Sequence, residues 1–201
     1  MKHILLLTTG GTIASRPTEE GLAPGMDGDA LARHFPLLSE NYALTVRDIL
    51  HLDSSNIQPE EWQLIARAVH DQRAAYDGVV ITHGTDTMAY TASVLSFMLR
   101  GIPIPVVLTG SQLPIEHPLT DALENLRIAF AMAASGTPGV FVAFDRKVIL
   151  GCRAVKTRTK GFDAFESVNW PPAALVDGGG LHIDPAALPF LRLRSWSSHA
   201  L

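Results

Sequence analysis

Five short apolar runs punctuate the chain: HILLLTT from His3, ALTVRDI from Ala43, GVVIT from Gly78, PVVLTG from Pro105 and GVFVAF from Gly139. Near-continuous apolarity over so few residues marks strands covered on both faces. Between these runs the spacing becomes that of helices. PEEWQLIARAVHDQRAAY opens with Pro59 and two acidic residues, as a helix start does, and repeats Trp62, Ile65, Ala66 and Val69 on one face. Met88, Ala92, Leu95 and Leu99 repeat similarly, as do Leu123, Leu126 and Phe130. The alternation βαβαβα predicts a single three-layer α/β domain, a mostly parallel sheet covered by helices in the Rossmann-like or flavodoxin-like manner.

In open α/β sheets, ligands collect outside the carboxyl ends of the strands. The segments that follow the first four strands are TTGGTIAS, LDSSN, THGTDT and TGSQLP. Each alone is an ordinary loop or helix cap, because Thr, Ser, Asp and Gly are favoured there. Four of them on one edge predict a polar pocket, with glycines that let backbones approach closely.

Composition narrows the field. A chain of 201 residues that is 47% hydrophobic can bury one sizeable core and is a tight fit for two domains. Its 16 basic and 20 acidic residues give a net charge of -4 with no basic run, so nucleic acid is not an expected partner. One cysteine, Cys152, excludes an intramolecular disulfide framework and the usual thiolate zinc sites, which suits a reducing cytosol. The opening MKHILLLTTGGT is too short in apolar residues for a signal-peptide core, and no later stretch is long enough to span a bilayer. A cytoplasmic protein without membrane contact is expected.

Motifs narrow the chemistry further. The Gly pair before Thr12 does not match G-x-G-x-x-G, no G-x-x-x-x-G-K-[ST] loop occurs, and TGSQL lacks the second glycine of a serine nucleophile elbow. The eight histidines show no metal-ligand spacing, so neither cofactor nor metal is expected. His83 alone stands inside the candidate site, as a participant or as a brace of its loop. What remains is a set of hydroxyls, the carboxylate of Asp86 and a candidate proton acceptor. Threonine is a poor nucleophile unless a base lies within hydrogen-bond reach. Lys156, in GCRAVKTRTKGFDAF, is a candidate, although this stretch alone reads more simply as a solvated basic strand.

TTGGTIAS and VVITHGTDTMAYTASVLSFML, supported by LDSSN, VVLTGSQLP and GFDAFESVN, resemble the bacterial-type L-asparaginases, especially their cytosolic type I branch. The likeness runs from about Lys2 to Asn169 and implies the fold of that family's N-terminal domain. It implies that Thr12 is the first catalytic threonine and Thr85 the second, with Asp86 and Lys156 completing a hydrogen-bonded group. Asp86 would also hold the substrate's α-ammonium, Ser54 and Ser55 would grip its α-carboxylate, and Gly11 and Gly84 would line the pocket. The implied reaction converts L-asparagine, and weakly L-glutamine, to the acid and ammonia through a threonine nucleophile without a cofactor. A homodimer or higher homo-oligomer is implied as well.

Two departures accompany the likeness. The family's lid tyrosine falls at Leu22 in TEEGLAPG. After a catalytic domain expected over 1–169, residues 170–201 read as a linker-like tail in place of the family's C-terminal domain. That tail ends in a short apolar segment through Leu188, Phe190, Leu191 and Leu193. Two other functions would use the same residues. One is a non-catalytic amino-acid-binding sensor, and the other is an amide-hydrolysing component that supplies ammonia to a partner enzyme.

Overall fold

The computed structural model describes residues 1–18, 21–34 and 36–188. Strand β1 (Lys2–Gly10) leads to a hairpin of β2 (Ser15–Thr18) and β3 (Gly21–Pro24), then to the short helices α1 (Gly28–Arg33) and α2 (Pro36–Asn41). Next come β4 (Tyr42–Leu52), α3 (Pro59–Gln72), β5 (Gly78–Thr82), α4 (Met88–Met98), β6 (Pro105–Thr109), α5 (Ala122–Ala134) and β7 (Gly139–Phe144). There follow β8 (Lys147–Leu150), β9 (Ala154–Lys156), β10 (Phe165–Ser167), β11 (Ala174–Asp177) and β12 (Gly180–Ile183). Among the described residues, eight strands form the main sheet in the order β12-β11-β8-β7-β6-β5-β1-β4. From β4 to β7 the pairing is parallel, whereas β8, β11 and β12 add an antiparallel edge.

The apolar runs of β1, β5, β6 and β7 are continuous because both faces of the sheet are covered there, whereas β4, expected to be covered in the same way, is the edge strand and has no buried position. Leu5, Leu7, Val79, Ile81, Val106 and Leu108 pack with Ile65 and Val69 of α3 and Ala92 and Leu95 of α4. The alternate positions Ile4, Leu6, Val80, Val107 and Phe141 pack with Leu126, Ala129 and Phe130 of α5 on the other side. Each such Val, Leu, Ile or Phe side chain, fully withdrawn from water, contributes about 1.5–3 kcal/mol. Helix α3 begins where its sequence indicates, with Pro59 in the first turn and the Glu61 carboxylate accepting from Gln58 N at 2.6 Å. Among the described residues no helix is long and apolar enough to cross a membrane.

The sheet extends beyond the strands that periodicity predicts. Asp145 and Arg146 take φ of 47° and 62°, so the chain reverses in two residues and β8 returns alongside β7. The segment after 169, read from sequence as linker-like, folds through Leu188 onto this same sheet. Ala174 pairs with Val148, and the glycines at 178–180 turn β11 into β12 rather than mark a flexible spacer. Ala173 and Ala174 are buried, Leu188 packs on the core, and Trp170 Nε1 donates to Ala187 O at 2.9 Å. The rest of the expected apolar segment, Phe190, Leu191 and Leu193, lies outside the described residues.

Candidate active site

Near the carboxyl ends of β1, β5 and β6, Thr8, Thr82 and Thr109 lie side by side in register, and β1 continues to Gly10. Their carboxyl ends are tied together: Thr9 Oγ1 donates to Thr82 O at 2.8 Å, and His83 N donates to Thr109 O at 2.8 Å. Beyond this edge the loops after β1, β4 and β5 touch through glycines. Gly11 has φ of 86°, and a Cβ there would lie 2.5 Å from Gly84 N. A Cβ on Gly84 would lie 2.5 Å from Ser54 Oγ. Only a residue without a side chain fits either place. Thr12 then opens a 3₁₀ turn that Ile13 and Ala14 anchor by burial.

A cleft of about 340 Å³ results, lined by Gly11, Thr12, Ser54, Gly84, Thr85, Asp86 and Lys156 among the residues expected from sequence. Ser55 is the exception. It is exposed, and its N–H and hydroxyl both donate to Asp53 Oδ1, at 2.9 and 2.8 Å, so that it closes its own turn. These two bonds, the backbone one first, hold the Asp53 carboxyl below its ordinary pKa. The lining also includes Ser15, Leu52, Asp53, Gln112 and Thr159, which sequence reasoning missed. Leu52, Asp53 and Gln112 adjoin or lie within LDSSN and TGSQLP, so strand-end position is the signal that could have found them. Thr159 carries no such signal, because its place depends on how the loop after β9 folds back.

Chemically, the cleft centres on Lys156 at the end of β9. Its Nζ donates to Thr85 Oγ1 at 2.8 Å and to Asp86 Oδ1 at 2.7 Å. The lysine side chain is 14% exposed, whereas that of Asp86 is 65% exposed, so the carboxylate faces the solvent from which a ligand arrives. An ion pair this open contributes at most about 1 kcal/mol to stability, and its consequence is geometric: it fixes the amine against a hydroxyl.

His83 is fully buried and does not line the cleft. Its Nδ1 is 2.7 Å from Gly84 O and its Nε2 is 2.9 Å from Thr91 Oγ1, which also accepts from Trp62 Nε1 at 2.9 Å. A carbonyl only accepts, so Nδ1 carries the proton and Nε2 accepts from Thr91. Burial pushes the imidazole pKa down from 6.5 to about 4, against the smaller upward pull of the Gly84 carbonyl. His83 is therefore a neutral brace of the Gly84 loop.

Comparison with known proteins bears on the family and the fold. The family model "Asparaginase, N-terminal" matches residues 3–188. An L-asparaginase of Thermococcus kodakarensis is 52% identical over 176 residues, which is 87% of this chain and 54% of that protein. L-asparaginase 1 of Escherichia coli K12 is 41% identical over 90% of the chain and 54% of its own length. A glutamyl-tRNA(Gln) amidotransferase component of Thermoplasma acidophilum is 36% identical over 88% of the chain and 45% of its own length. The solved structure of the thermostable Thermococcus kodakarensis L-asparaginase, 50% identical, superposes with a TM-score of 0.84 over 90% of this chain and 56% of that one. The chain thus spans about half the length of the relatives it matches. With the strand-end loops, the sheet order and these matches in agreement, the chain belongs to the asparaginase family, and residues 3–188 correspond to that family's N-terminal domain.

Proposed function

We propose that this protein hydrolyses the side-chain amide of L-asparagine to L-aspartate and ammonia through a threonine nucleophile. The carrying observation is the contact of Lys156 Nζ with Thr85 Oγ1 and Asp86 Oδ1 in the cleft that also presents Thr12. A pocket that only binds an amino acid needs charges for its ammonium and carboxylate. A hydroxyl held against an amine is what proton transfer needs.

In this reading the exposed Asp86 receives the α-ammonium by a charge-assisted hydrogen bond, and Ser54 faces the α-carboxylate. Thr12 Oγ1 adds to the side-chain carbonyl carbon, with backbone N–H groups of the Gly11 and Gly84 loops near the developing oxyanion. The C–N bond then breaks, and the proton given up by Thr12 leaves with the nitrogen as ammonia. Water, positioned by Thr85 and Lys156, adds to the aspartyl ester and restores the Thr12 hydroxyl. Leu22, paired opposite Pro17 in the β2–β3 hairpin, supplies no phenol to Thr12, so the amine beside Thr85 carries more of the proton transfer. L-Glutamine is a weak substrate, because one extra methylene displaces its carbonyl from Thr12 when the α-groups are held.

A cytoplasmic homo-oligomer, at minimum a dimer, belongs to the same proposal. Tyr90 and Phe97, seven residues apart on α4, are 66% and 74% exposed and favour a face covered by a second copy. The likeness to an amidotransferase component keeps one alternative in play, an amide-hydrolysing protein that feeds ammonia to a partner. The higher identity to the L-asparaginases favours the simple hydrolase.

Intact-mass spectrometry of Thr85→Ala protein incubated with L-asparagine tests the mechanism. An aspartyl adduct that is missing from Thr12→Ala is the expected result. Binding by calorimetry with neither adduct nor ammonia in wild type would favour a sensor.

A further inference from the structure

We infer that Gln112 is a positioning residue for the Lys156–Thr85 pair, clamping the loop that follows Lys156 against the cleft; the inference rests on the amidase reading above. Lys156 ends a three-residue strand that pairs with β10 and lies outside the main sheet. The loop after it is closed on itself by Thr157 N donating to Ala164 O at 2.8 Å and by Arg158 Nη1 donating to Glu166 Oε1 at 2.7 Å. Neither bond attaches it to the sheet that carries Thr85. Gln112 does. Its Nε2 donates to Thr159 O at 3.1 Å and to Gly161 O at 2.9 Å.

With both amide hydrogens on carbonyls, the orientation of the carboxamide is fixed, and Oε1 faces Thr85 Oγ1 at 3.4 Å. That last contact is long for an O–H donor, so the Thr85 oxygen, which accepts from Lys156 Nζ, is only weakly held by Gln112 through its own proton. Gln112 is itself held from the main sheet. Its N–H and that of Leu113 donate to the Asp121 carboxylate at 3.0–3.1 Å, and Asn125 Nδ2 donates to Asp121 Oδ2 at 3.1 Å and to Gly110 O at 3.0 Å. Asn125 is buried and receives Asp145 N at 2.9 Å. A continuous polar strut therefore runs from the ends of β6 and β7 to the loop beside Lys156. Glutamate at 112 has the same shape but no donors, and would set a carboxylate against two carbonyls.

The test compares wild type, Q112A and Q112E in steady-state ammonia release, together with hydrogen–deuterium exchange of residues 157–164. Both variants are expected to lose about 10²-fold in kcat with a much smaller change in KM, and to exchange faster in that loop alone. The ratio of Q112E to Q112A activity is expected to rise as pH falls from 7 toward 5, because the protonated carboxyl regains one donor. Wild-type kcat in both variants, or lost kcat with unchanged loop exchange and a flat activity ratio, would overturn the clamp. Absence of turnover in wild type would instead sink the amidase reading, and the exchange comparison would still show whether Gln112 holds the loop.

Discussion

Lys156 serves two partners from one amine, and substitution by methionine removes both contacts while keeping the length of the side chain. Lys156→Met is expected to lower kcat by about 10²–10⁴-fold with the fold retained, read by ammonia release beside circular dichroism. Gly84→Ala is expected to act differently. Its methyl would press on Ser54 Oγ, so the loop must shift, at a cost of about 1–3 kcal/mol in urea unfolding and with a higher KM. At this scale the lining of the cleft was partly legible: four strand-end segments indicated a polar pocket, and the family resemblance pointed to Thr12, Ser54, Thr85 and Asp86, which line it. Ser55 was not separable from Ser54 by residue type; in the structure Ser54 lines the cleft while Ser55 donates to Asp53. Gln112 sat in a recognised motif, yet its role depends on which distant carbonyls face it.

Four of the five strands predicted from apolar runs, β1, β5, β6 and β7, are covered on both faces, whereas β4 is an edge strand with no buried position. Strands β5, β6 and β7 are buried at every position, and their sequences show it. The antiparallel edge was hidden for the opposite reason. In β11 and β12 exposed positions alternate with less exposed ones over four residues each, and the glycines of their turn resemble linker punctuation. A chain stopped after Asn169 would strip this hairpin from β8 and uncover the core beside Val148. Its melting temperature is expected to fall by about 2–4 °C for each kcal/mol lost, and an unchanged value would mean that the hairpin contributes nothing. Within α3, Ile65 is fully buried between helix and sheet, so Ile65→Ala is expected to cost about 2–5 kcal/mol, measured by urea unfolding.

The whole molecule should lose stability on the acid side for a reason located under its site. His83 is neutral in the folded protein with a pKa of about 4, whereas in the unfolded chain it titrates near 6.5. Between those values the unfolded chain binds the extra proton, so stability is complete above about pH 6.5 and drains away as pH falls toward 4. The loss from this one group is on the order of 3 kcal/mol. Asp53, Asp77, Glu166 and Asp177, whose pKa values are lowered by hydrogen bonds, act in the same direction but in a lower window, below their unfolded values near 4. Urea midpoints from pH 7 to 4 should therefore fall in wild type and flatten above pH 4 in His83→Gln. Sequence placed His83 at the site and left its role open, because only the packed structure shows both ring nitrogens engaged.

The measurement that bears most directly on the whole account is ammonia release from L-asparagine over micromolar to tens of millimolar substrate, with Thr12→Ala as control. Saturable release that vanishes in the control is the predicted result. Release that persists in Thr12→Ala, or none from wild type while L-asparagine still binds, would contradict a threonine amidohydrolase built on this cleft.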